Sequence, residues 1–164
     1  MTSQFSVELD QLHSAIYNPE INENEALKHL LQCCLDGLKI QQVGLWQFVD
    51  HDLLRCQLLL DKDNGFSQEA LLVDRWSFPG YFEALDQKKV IRAVDALNDP
   101  ATKDLAELFL KPFNIKSLLD VPIYSGDKAT GIICCEQTAA YIRPTLPPER
   151  TCHAPAASHL NAVY

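Results

Sequence analysis

Apolar residues recur along this chain with two periods, and the change from one to the other divides it into elements. Phe5, Leu9, Leu12 and Ile16 fall at i, i+4, i+7 and i+11, the stripe of an amphipathic helix that ends before Asn18-Pro19. Asn22 with Glu25 makes a capping-box-like start for a second helix, whose apolar face is Leu27, Leu30, Leu31, Cys34, Leu35 and Leu38. Asp36-Gly37 lies near its end, where glycine commonly caps. The pattern then becomes strand-like. Residues 43–49 (VGLWQFV) and 53–60 (LLRCQLLL) read as two strands around Asp50-His51-Asp52, and 61–68 as a polar loop. Residues 70–78 read as a third strand, broken by Phe78-Pro79-Gly80 before a short helical turn over 81–85. A further strand covers 89–95. Asp99-Pro100 then starts a helix, with aspartate at the N-cap and proline at the first helical position. Leu105, Leu108 and Phe109 give it a buried stripe, and Pro112 stops it.

The most informative stretch is 117–137, SLLDVPIYSGDKATGIICCEQ. Two β-prone runs, 118–124 and 129–137, flank Ser125-Gly126-Asp127-Lys128, the pattern of a β-hairpin in which Gly126 is free to take a positive φ. Both runs are nearly apolar throughout, so both faces should be covered and the hairpin central in its sheet. The order α-α-β-β-β-α-β-α-β-β-α predicts an α+β domain around one largely antiparallel sheet of about six strands. The tail differs: Pro144, Pro147, Pro148 and Pro155 crowd together, and a helix from about Glu149 must break or restart at Pro155.

Composition narrows the class. The 164 residues suit one domain with a real core, and 47% hydrophobic with 22% charged residues is globular rather than disordered. A formal charge of −8 argues against nucleic acid as a partner. No run of about 18 apolar residues predicts a membrane span. The N-terminus lacks the basic start and apolar core of a signal peptide, so the expected location is the cytoplasm. Six cysteines (Cys33, Cys34, Cys56, Cys134, Cys135 and Cys152) show no CxxC spacing. Cys134 and Cys135 would point to opposite faces of a strand, so neither adjacent pair is disposed to bridge, and free thiols fit a reducing compartment.

The element order, with the segments FPGYFEAL (78–85), VIRAVDALNDPATKDLAELFL (90–110) and NIKSLLDVPIYSGDKATGIICCEQ (114–137), resembles the GAF domain of bacterial sensor kinases and cyclic-di-GMP signalling proteins. The resemblance spans roughly residues 26–137 of a single domain over 1–164, with an atypical tail over 138–164. The R-x-W-T element of such domains is matched only by Arg143-Pro144-Thr145, and Pro155 falls where the following helix would run. The resemblance implies terminal helices on one face of the sheet and short helices roofing a ligand pocket on the other. It also implies a non-catalytic sensory role with an unidentified small molecule, a signalling effector in cis or trans, and dimerisation through terminal helices.

Within that frame the candidate ligand-binding residues are Trp46, Trp76, Tyr81, Phe82, Asp95, Asp120 and Cys135, with Trp76 and Tyr81 flanking the pocket mouth and Pro79-Gly80 letting the Tyr81 turn lift. The aromatics alternatively fill core space. Asp95 alternatively caps the turn at 96–99, and Asp120 alternatively bonds within the hairpin region. Phe5, Leu9, Leu12 and Ile16 either form a dimer interface or pack on their own sheet. The runner-up functions are a redox enzyme like the free methionine-(R)-sulfoxide reductases, working through Cys134 or Cys135, and a ligand-free interaction module. Glu136 and the acidic charge oppose a reactive thiol. The cyclic-nucleotide signature of relatives is not evident, and the segment where bilin-binding relatives carry their cysteine has none. His13, His29, His51, His153 and His159 lack metal-ligand spacing, and no metal or cofactor is expected.

Overall fold

Seven strands make one antiparallel sheet in the computed structural model, which describes residues 22–68, 70–87 and 89–138. The strands are β1 (Gln42–Asp50), β2 (Leu53–Asp61), β3 (Gly65–Ser67), β4 (Leu72–Asp74), β5 (Ile91–Ala93), β6 (Ser117–Ser125) and β7 (Lys128–Gln137). Their order is β3-β2-β1-β7-β6-β5, with β4 also on β2. The 117–137 hairpin is thus internal to the sheet, as its double-sided apolarity requires. Ser125 pairs with Lys128 and Gly126 has φ 59°, the positive angle that a two-residue hairpin turn needs at its first position. Only the first half of β6 is fully buried; from Val121 onwards the strand leans towards solvent.

Helix α1 (Glu23–Leu38) begins as expected, with the Glu25 amide donating to Asn22 Oδ1 at 3.0 Å. Its end corrects the sequence reading. Gly37 stays helical, and Lys39 takes the left-handed cap (φ 54°, ψ 46°), its amide returning to the Leu35 carbonyl. The helix lays Leu31 and Leu35 against Val43, Leu45, Leu58, Leu60, Leu119 and Cys135 on one face of the sheet. The opposite face carries Trp46, Leu54, Cys56, Leu118, Ile132 and Cys134 beneath α2 (Pro79–Asp86) and a roof segment, a 3-10 turn (Lys103–Leu105) running into a π-helical turn (Ala106–Leu110).

One irregularity decides which β2 residue meets which core. Leu58 pairs with Leu45 and Cys56 with Trp46, so Gln57 is an extra residue in β2. In a regular strand residues 54, 56, 58 and 60 would share a face. The bulge turns Leu54 and Cys56 under the roof and Leu58 and Leu60 towards α1.

Elsewhere the expected elements are shortened. The loop over 61–68 contains β3. Of the strand expected over 70–78 only β4 forms, because Asp74 folds back to accept from the Ser77 amide and hydroxyl at 2.9 Å each while its carbonyl takes the Phe78 amide. The strand expected over 89–95 is the three-residue β5. Asp99 caps a turn, accepting from the Ala101 amide at 2.9 Å, but no α-helix follows. Leu105 and Leu110, five residues apart, diverge around an α-helix. The wider π turn, closed by the Lys111 amide on the Ala106 carbonyl, buries both. Phe5, Leu9, Leu12, Ile16 and the proline-rich tail with Cys152 and His153 lie outside the described residues.

Candidate functional site

Strand register assembles a polar group on the roofed face. Asp120 pairs with Cys134 across β6 and β7, Glu136 follows two residues on, and β1 places Gln42 opposite Glu136. Tyr81 reaches them from α2, its hydroxyl donating to Asp120 Oδ2 at 2.6 Å. The Cys134 thiol donates to Glu136 Oε1 at 3.2 Å, and Gln42 Nε2 donates to Glu136 Oε2. Asp120 is 1% and Glu136 2% exposed. Burial lifts the Asp120 carboxyl to about 6, although the nearby Cys134 thiol and the Tyr81 hydroxyl pull the other way. Burial likewise lifts Glu136 to about 7, against its bonds from Gln42 and Cys134. The Tyr81 hydroxyl and Cys134 thiol are pushed well up, first by burial and then by the adjacent Asp120.

Beside this group lies a cavity of about 20 Å³, bordered by Asp120, Cys134 and Glu136 and walled by Trp46, Leu105 and Phe109. That is room for about one water. Among the described residues no lysine, arginine or histidine borders it. Asp120 Oδ1 has no hydrogen-bond partner although wholly buried. A thiol carries one proton, and that of Cys134 is directed at Glu136. Phe109, half-buried, closes the roof with its ring edge-on to Trp46, centroids 5.9 Å apart. Asp104 Oδ2 ties the roof to the start of α2 by accepting from the Gly80 amide at 2.6 Å. A Cβ on Gly80 would stand 2.7 Å from that oxygen, so the glycine is there for close approach rather than as the hinge of a lid.

A wider cleft of about 410 Å³ opens further along the same face, between the end of β1, the end of α2 and the β6–β7 turn. Phe48, Leu85, Pro122 and Ile132 are among its walls, and His51 and Lys128 also border it. Arg75 braces its side. The guanidinium bonds Asp52 Oδ1 and Asp86 Oδ2, each at 2.7 Å, and stands 4.9 Å over the Phe82 ring. It also holds the Asp86 carboxyl below its usual range.

The structure brings Trp46, Tyr81 and Asp120 together at the small cavity. Phe82 is fully buried and packs edge-on to both Tyr81 and Phe48, filling core space between the two openings. Three other candidates lie elsewhere. Trp76 is 86% exposed in the turn after β4, because Asp74 ends that strand before reaching it, and so cannot flank a mouth under the roof. Asp95 is exposed in a surface turn, where its carboxylate accepts from Asn98 Nδ2 at 2.8 Å. Cys135 points to the α1 face by strand alternation. Sequence reasoning named Glu136 only as the acidic neighbour of the thiols and Phe109 only as part of a buried stripe, and it did not single out Arg75. A charged residue two positions after Cys134 in an apolar strand was the available signal for Glu136. Arg75 and Phe109 had none, since their partners are distant in sequence.

The family model for the GAF domain matches residues 22–151. Among solved structures, the phycocyanobilin-bound GAF domain from a cyanobacterial phytochrome superposes with TM-score 0.68 at 16% identity, over 85% of this chain and 82% of that one. The GAF domain of a phosphoenolpyruvate-protein phosphotransferase from Coxiella burnetii gives TM-score 0.62 at 18% identity, over 86% and 82%. That of a two-component sensor histidine kinase from Bacillus halodurans gives 0.50 at 22%, over 69% and 77%. No curated protein matches. At these identities the structural likeness bears on fold alone. The fold and the family model agree, and the chain belongs to the GAF domain family.

Proposed function

We propose that this chain is a non-catalytic sensory module and that the cavity under the roof is where it meets a small organic molecule. GAF domains are a sensory and regulatory family of signalling domains. The observation that carries the site is the buried pair Asp120 and Glu136, uncompensated by any bordering base among the described residues, against a cavity closed by an irregular turn. Such a pair costs stability, and a bound partner would offset that cost. The thiols support a role without catalysis. Burial first, then neighbouring charge, raises Cys134 and Cys135, and a thiolate nucleophile needs the opposite shift.

Native mass spectrometry of the purified chain tests the reading. The expected result is a small-molecule mass excess that disappears on denaturation and is absent in Tyr81→Ala. A bare mass, with a melting temperature unmoved by a metabolite panel, would overturn it. It would leave an interaction module as the better reading, one that the small cavity and the exposed Leu108 and Phe113 on and beside the roof favour. Self-association through the Phe5, Leu9, Leu12 and Ile16 stripe belongs to the same proposal, as the route by which a sensory domain passes its state to an effector.

A further inference from the structure

Resting on the reading that the roofed cavity is the ligand site, we infer that it selects a cationic head group, an alkyl- or arylalkylammonium, held by Asp120 and Glu136 with its apolar remainder against Trp46 and Phe109. Charge is the first reason. Two carboxyls, 1% and 2% exposed, border one cavity that has no basic residue on its wall among the described residues. A cation there would be attracted by both.

Donor counting is the second reason. The Tyr81 hydroxyl supplies Asp120 Oδ2, the single Cys134 proton supplies Glu136 Oε1, and Gln42 supplies Glu136 Oε2. Asp120 Oδ1 is left without a donor. An ammonium brings three N–H donors and no acceptor, which suits the wall of acceptors that the two carboxyls form once ionised. A carboxylate or phosphate would bring a third negative charge, and an alcohol only one donor.

Shape is the third reason. A volume of about 20 Å³ admits a head group and little else, so the remainder must enter under the roof. Phe109 stands there, half-buried, in a π-helical turn of a kind frequent at functional sites. The Trp46 ring on the wall adds an aromatic surface that attracts cations.

The test uses the full chain carrying Trp76→Phe, which leaves Trp46 as its sole tryptophan. Three probes of like shape are titrated: 2-phenylethylammonium, neutral 2-phenylethanol and anionic 3-phenylpropionate. The amine should quench Trp46 saturably, with a dissociation constant at least about tenfold below that of the alcohol, and the acid should have no effect. Asp120→Asn and Glu136→Gln should each weaken the amine by about tenfold and the alcohol by clearly less. Two variants are used so that a folding defect in one does not remove the test. Amine binding should also tighten between about pH 5.5 and about pH 8, as protons leave the pair. The other titratable groups facing the pair, Tyr81 from α2 and Cys134 from β7, are both raised out of that range. An alcohol that binds as well as the amine would overturn the cationic inference and leave the ligand site standing. No quenching by any of the three would overturn both.

Discussion

Asp120 and Glu136 hold folded-state values above their ordinary ones, 3.8 rising to about 6 and 4.5 rising to about 7, with burial the chief cause. Between those values the folded chain keeps protons that the unfolded chain has lost. Stability therefore falls as pH rises from about 4 to about 7 and levels off above, by at most about 1.4 kcal/mol per pH unit for each group. Asp52, Asp61, Asp74 and Asp86 are lowered instead, so their contribution is lost only as pH falls through the acid range. The midpoint of urea unfolding should then be lower at about pH 7.5 than at about pH 5, and Asp120→Asn/Glu136→Gln should lose most of that difference. A wild-type midpoint that rises over this interval would refute the assignment.

Among the elements, α1 shows how a boundary can be half legible. Its start depends on one side chain and its neighbour three residues on, so Asn22 was readable as the cap. Its end depends on which residue can turn left-handed without disturbing the packing of Leu31 and Leu35, and that residue is Lys39 rather than Gly37. Asn22→Ala should cost about 1 kcal/mol, and Lys39→Gly should add about 1 kcal/mol, measured by chemical denaturation. A loss of stability in Lys39→Gly would show that contacts of the lysine side chain outweigh its backbone strain. The roof is the opposite case. Its 3-10 and π turns answer to the depth at which Leu105 and Leu110 are buried, and no local spacing announces them. The same holds for the Gln57 bulge, because an apolar run such as LLRCQLLL fits either register until β1 fixes its partner.

At the scale of the molecule, one sheet separates two cores. If the N-terminal stripe self-associates, sedimentation at micromolar concentration should give a dimer for the wild type and a monomer for Leu9→Glu/Leu12→Glu. A wild-type monomer unchanged by the substitutions would count against dimerisation. The sequence by itself determined the sheet and its central hairpin, because alternation, turn residues and caps act between neighbours along the chain, while helices on both faces came only from the family resemblance. It also marked Tyr81 and Asp120, an aromatic on a short helix and an acid in an apolar strand. Only the tertiary structure decided that Trp76 lies in solvent, that Cys135 faces α1, and that Glu136 joins Asp120 beside one small cavity. The reason is register. A side chain's face is set by the pairing of its strand with another far away in sequence, and a single bulge or an early turn reverses it.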